Sequence, residues 1–140
     1  MWEYSKKLLD HFKNPRNYGK MKNPDGVGRV GNIVCGDVLE LAIKVQNNRI
    51  TDARFLTFGC VAALGVSSVL TEMVKGKTVE QAKKLTPADI SKEVGGLPNE
   101  KAHCAVLGFQ GLKKAIEDYE SKSKMFASQN SLRNHKSQGV

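Results

Sequence analysis

Three cysteines, a histidine beside one of them and an aspartate close to another are the residues of this chain whose types could do chemistry. Lys101-Ala102-His103-Cys104 sets an imidazole next to a thiol where a helix is expected to begin. Cys35 lies in Val34-Cys35-Gly36-Asp37, just ahead of an alternating strand pattern, and Cys60 lies in Phe58-Gly59-Cys60, between a strand and an apolar helix. Thiols of this kind are either buried and inert, or metal-binding or reactive. Taken singly, each residue has an ordinary reading: a small buried hydrophobe, a satisfied histidine, a turn aspartate. Taken together they differ, because every cysteine falls at the end of an element and none in the middle of one. This is no C-x-x-C pair of pairs, so spacing alone does not specify a metal.

The elements that must position these residues follow from patterning. Residues 5–12 read as a short amphipathic helix with Leu8, Leu9 and Phe12 inward. It should end near Asn14, because Pro15 disfavours helical geometry in the residue before it. Two turns follow, Asn14-Pro15-Arg16-Asn17-Tyr18-Gly19 and Asn23-Pro24-Asp25-Gly26. Glycines at 28, 31 and 36 predict that the approach to Cys35 is a loop. Residues 39–46 alternate as a half-buried strand, Asn47-Asn48 supplies a tight turn, and a second strand runs back over 49–58. Residues 61–75 are apolar nearly all round, as in a helix buried against a sheet. Thr78 and Gln81 have capping-box spacing, Pro87 opens a further helix, and Gly95-Gly96 breaks it. A last helix is expected from near Pro98-Asn99 to about Tyr119, with Ala105, Phe109, Leu112, Ile116 and Tyr119 on one face. Close packing against the sheet would account for Gly108 and Gly111 inside it. The expected fold class is α+β: a small antiparallel sheet of about three strands, packed on one face by helices. Residues 1–120 form the domain. Residues 121–140, polar and basic, read as a disordered tail.

Composition narrows the function classes. At 140 residues, with 40% hydrophobic and 26% charged side chains, the chain is one ordinary domain's worth. No apolar run approaches the roughly 20 residues a membrane helix needs. The N-terminus does not read as a secretory signal, so a cytoplasmic protein is expected. An odd number of cysteines fits a disulfide framework poorly. The net charge of +8 sits at the two ends, whereas 31–120, with all three cysteines, is neutral. Without a basic stripe interleaved with aromatics, nucleic-acid binding is not expected.

Antiparallel pairing brings the start of one strand beside the end of the next, so Cys35 and Cys60 should meet at one sheet edge. Cys60 and Cys104 each fall at an expected helix N-terminus, where the positive end of the dipole favours a thiolate. Asp37 leaves the loop on the same side of the strand as Cys35. The candidate site is therefore Cys35, Asp37, Cys60, His103 and Cys104, with carboxylate and imidazole competing for the fourth position around three thiolates.

These same stretches resemble the U-type iron–sulfur cluster assembly scaffolds, the IscU proteins and the N-terminal domain of NifU. The matching segments are Asp10-His11-Phe12, Asn14-Pro15-Arg16-Asn17, Cys35-Gly36-Asp37, Thr57-Phe58-Gly59-Cys60, Thr71-Glu72-Met73, Lys75-Gly76-Lys77, Gly95-Gly96-Leu97-Pro98 and His103-Cys104. The resemblance implies a SufE/NifU-like fold and a transient 2Fe–2S cluster, or Zn2+ or Fe2+ in the isolated protein. The ligands it implies are Cys35, Cys60 and Cys104, with Asp37 or His103. It further implies a cysteine desulfurase of the IscS or NifS type as sulfur donor and apo-iron–sulfur proteins as recipients. Cys104 would accept persulfide sulfur, Asp37 would assist cluster exchange and release, and Lys101 would interact with the empty site. The protein would be a carrier rather than an enzyme, monomeric or homodimeric.

Three departures stand out. Val61 replaces the usual small residue after Cys60, Ile33 replaces a usual proline before Cys35, and Leu97-Pro98-Asn99-Glu100-Lys101 departs from the usual Hsp70-recognition segment, which counts against chaperone-assisted transfer. A zinc-dependent sulfur acceptor of the SufU type is the alternative. His103 beside Cys104 and the short Cys60–Cys104 separation favour the scaffold. A structural zinc adaptor would leave Asp37 without a role. A hydrolase built on Cys104 and His103 is weakest, since helix neighbours diverge by roughly 100°.

Overall fold

The structure is a computed structural model that describes residues 4–32 and 36–137, with side chains for all of these except Asn32, Asp37 and 124–137. The elements in order are α1 (Lys6–Lys13), β1 (Gly26–Asn32), β2 (Asp37–Gln46), β3 (Arg49–Phe58), α2 (Val61–Val74), α3 (Val79–Lys83), α4 (Pro87–Glu93), a 3-10 turn (Asn99–Lys101) and α5 (His103–Ser137). The three strands form one antiparallel sheet in the order β1-β2-β3. Helices α2 and α5 lie on one face, and the fold class is the α+β arrangement expected.

The β2–β3 hairpin turns at Asn47 and Asn48, both at positive φ (52° and 62°), the geometry a two-residue turn demands. Leu39, Leu41 and Ile43 of β2 and Ile50, Ala53 and Phe55 of β3 are buried against Val66, Val69 and Leu70 of α2 and Leu112, Ala115 and Ile116 of α5. The alternation slips once, at the irregularity between Lys44 and Val45, so that Ile50 and Ala53 both face the core. Val38 and Phe58, paired across the sheet, sit on the open face, with Phe58 82% exposed.

The approach to Cys35 corrects the sequence reading: Gly26–Asn32 is an edge strand, not a loop. Its glycines serve contact rather than freedom. A Cβ at Gly26 would stand 2.2 Å from the Ala115 carbonyl oxygen, and one at Gly28 equally close to that of Gly111. The backbone of α5 therefore presses directly on β1, and composition that reads as loop is the price of a close helix–strand approach. Gly111 in turn packs on Leu39 of the sheet, whereas Gly108 faces Val66 and Leu70 of α2.

Helix α1 is capped by Ser5, whose hydroxyl accepts from the Leu8 amide. Leu8 is buried as expected, but Phe12 is exposed and His11 takes the inward place. His11 Nδ1 lies 2.7 Å from Ser68 Oγ on α2, and that oxygen also accepts the Arg16 amide at 2.8 Å. Asn17 Nδ2 donates to Thr71 Oγ1 at 3.0 Å, and Thr71 donates to the Ser68 carbonyl. Residues 17–19 then seal the free edge of β3, with Gly19 donating to the Phe55 carbonyl and Phe55 to that of Asn17. This clasp of His11, Arg16 and Asn17 fixes α1 and the following turn to α2. The anticipated capping box is present at Thr78/Gln81, and a second, not anticipated, joins Thr86 and Asp89 behind the expected Pro87.

The last helix starts at His103, after a separate 3-10 turn, and does not stop near Tyr119. It continues through Ser137, past the end expected from the sequence. Residues 121–137 hold Lys, Met, Ala, Gln, Leu and Arg and no Gly or Pro, so nothing in them ends a helix. Among the described residues no helix is long and apolar enough to cross a membrane.

Candidate metal centre

Two helices begin at one end of the sheet, and each carries a cysteine at its start. Cys60 is the N-cap of α2, in extended geometry (φ −80°, ψ 178°), separated from the end of β3 at Phe58 by Gly59 alone. The helix has no side-chain cap bond, which leaves its first amides turned toward the Cys60 position. Cys104 is the second residue of α5, behind the 3-10 turn that delivers Lys101. Their sulfurs are 3.9 Å apart although 44 residues separate them in sequence. Cys104 is 1% exposed and Cys60 is half-buried, so the pair has an inner and an outer member.

His103 Nε2 stands 3.6 Å from Cys104 Sγ. Helix neighbours normally diverge, but at the first residue of α5 the imidazole folds back to the thiol. That removes the geometric objection raised against a Cys104–His103 pair.

Asp37 opens β2, and the register pairs its neighbour Val38 with Phe58, two residues before Cys60. The backbone thus brings Asp37 to the sheet end where Cys60 stands. Cys35 lies outside the described residues. Among the described residues no three His, Cys, Asp or Glu groups are gathered to hold an ion. Of the predicted set, the structure brings Cys104 to Cys60 and to His103 in two pairwise approaches.

One member escaped the sequence. Tyr4, immediately before the α1 cap, has its phenol held above its ordinary value first by burial, then by the Cys60 and Cys104 thiols, against the opposing pull of Lys101. Tyr4 and Lys101 therefore lie within electrostatic reach of each other and of the two sulfurs. No spacing or motif marks Tyr4; only the docking of α1 reveals it.

A sequence model of the NifU-like N-terminal domain matches residues 3–126. The chain belongs to the NifU-like N-terminal domain family. Its relatives include iron–sulfur cluster assembly scaffold protein IscU 1 of Archaeoglobus fulgidus, 53% identical over 120 residues that make up 86% of this chain and 78% of the relative. The scaffold protein IscU of Aquifex aeolicus is also 53% identical over 120 residues, covering 84% of this chain and 76% of its own. The crystal structure of a NifU-like N-terminal protein from Brucella abortus matches the fold with a TM-score of 0.69 at 21% identity, over 84% of this chain and 94% of that one. The fold and the family resemblance drawn from Cys35-Gly36-Asp37, Phe58-Gly59-Cys60 and His103-Cys104 thus agree.

Proposed function

We propose that this protein is a scaffold on which a 2Fe–2S cluster is built from iron and desulfurase-derived sulfur and then passed to apo-iron–sulfur proteins. The observation that carries this reading is the approach of Cys60 and Cys104 to 3.9 Å at two helix N-termini. In it, Cys35, Cys60 and Cys104 bind the cluster as cargo, with Asp37 or His103 as fourth ligand. Fe–S clusters prefer thiolate ligands, and an oxygen or nitrogen in the fourth place suits a protein that must give its cluster away. Cys104 accepts the persulfide sulfur from a cysteine desulfurase, and Asp37 assists release. The relatives named as IscU scaffolds support this assignment. The domain that does this is 1–120, in a cytoplasmic setting that keeps its thiols reduced.

The test is anaerobic reconstitution with Fe2+, L-cysteine and a cysteine desulfurase, followed by iron and sulfide analysis and transfer to an apo-acceptor. A labile visible chromophore with iron and sulfide in equal amounts is expected. Unchanged chromophores in all three single Cys→Ser variants would refute the assignment.

A further inference from the structure

We propose that Cys60 is also the resolving thiol for sulfur carried on Cys104, so that the pair itself reduces that sulfur to sulfide. The proposal rests on reading Cys104 as the persulfide acceptor. Three observations carry it. The sulfurs are 3.9 Å apart, so a disulfide bond of about 2.05 Å needs roughly 2 Å of closure. Cys60 occupies the joint between β3 and α2, in extended backbone geometry behind Gly59 and ahead of the first helical turn. Cys104 is buried, so a dissolved thiol has a poor route to its sulfur, while Cys60 already faces it and reaches solvent on its other side.

The step balances without an outside electron donor. The Cys104 persulfide and the Cys60 thiol become the Cys60–Cys104 disulfide and hydrogen sulfide. The Cys60 sulfur attacks the inner sulfur of the persulfide, and the bond between inner and outer sulfur breaks. The outer sulfur leaves with the electron pair as hydrosulfide and takes up the proton that Cys60 gives up. The sulfane sulfur is reduced by two electrons, and the two cysteine sulfurs are together oxidised by two. A dithiol reductant must then reopen the disulfide before both cysteines can hold iron. Sulfide release thereby precedes cluster closure.

The experiment uses the full chain, freed of metal by a chelator and loaded under argon with a cysteine desulfurase and L-cysteine. The donor and all small thiols are then removed. Sulfide released, persulfide remaining and disulfides mapped by peptide mass are followed per persulfide loaded. Wild type should give one sulfide and one Cys60–Cys104 disulfide per persulfide, at a rate independent of protein concentration. Cys60→Ser should keep its persulfide on Cys104 and release sulfide about tenfold more slowly or worse. Equal decay in the two proteins, a disulfide at another pair, or a rate that rises with protein concentration would overturn the proposal while leaving the acceptor reading intact. No persulfide on Cys104 in either protein would overturn the acceptor reading and this proposal with it. The wild-type mapping decides the matter even if the variant fails to fold.

Discussion

Helix α2 serves two regions of opposite character. At its middle, the clasp of His11, Arg16 and Asn17 on Ser68 and Thr71 is buried and closely hydrogen-bonded. At its start, Cys60 makes no side-chain cap bond to its helix and meets Cys104 at 3.9 Å. Most polar groups in the clasp are satisfied by the fold, the buried Arg16 Nη1 excepted, whereas the paired thiols suit a ligand that comes from outside it. On the proposed function, the motif residues of this chain divide into those that hold the fold together and those that would hold cargo.

Substitutions should separate the two. Cys104→Ser is expected to abolish the reconstituted chromophore entirely, while the thermal midpoint, read by circular dichroism, changes little. A retained cluster would place Cys104 with the structural group. Asp37→Ala should leave assembly intact and lengthen the cluster's lifetime during transfer. Equal release rates would discard that role. Ser68→Ala should do the reverse of Cys104→Ser. It strips the partner from His11 Nδ1 and the Arg16 amide, a loss of about 1–3 kcal/mol in urea unfolding, with cluster stoichiometry kept.

The clasp also makes stability depend on pH. Burial, then the Arg16 charge, holds His11 below the ordinary imidazole value, with Lys7 adding to the effect and Glu72 and Asp10 opposing it. The folded pKa is thus lower than the unfolded one. The contribution to stability is full above the unfolded value and lost as pH falls through the folded value. Urea midpoints should drop on acidification below about pH 6.5 and drop less in His11→Gln. Identical slopes would show that His11 does not set the dependence. The smallest effect should come from Thr86→Ala, which removes a capping box remote from both regions and costs about 1 kcal/mol.

Local chemistry made much of the fold legible. Turn asparagines, the Thr78/Gln81 capping box and the Pro15 stop need only neighbours in sequence, and each took the expected form. What failed needed the third dimension. Gly26 and Gly28 read as loop because the demand for glycine comes from the backbone of α5, far along the chain at Gly111 and Ala115. His11 displaced Phe12 from the core because Ser68 and Glu72 wait on α2, 2.7 Å and 3.5 Å from its ring nitrogens. At the site, the positions of Cys60 and Cys104 at helix starts were readable. Tyr4 was not, since its place depends on how α1 docks.

On the proposed function three distant thiols share one metal pocket, and Co2+ binding to the apo-protein under argon shows whether they do. Thiolate-to-cobalt charge-transfer absorption should appear in wild type and fall by about a third in each of Cys35→Ser, Cys60→Ser and Cys104→Ser, as three sulfur ligands require. A Cys35→Ser spectrum indistinguishable from wild type would contradict it.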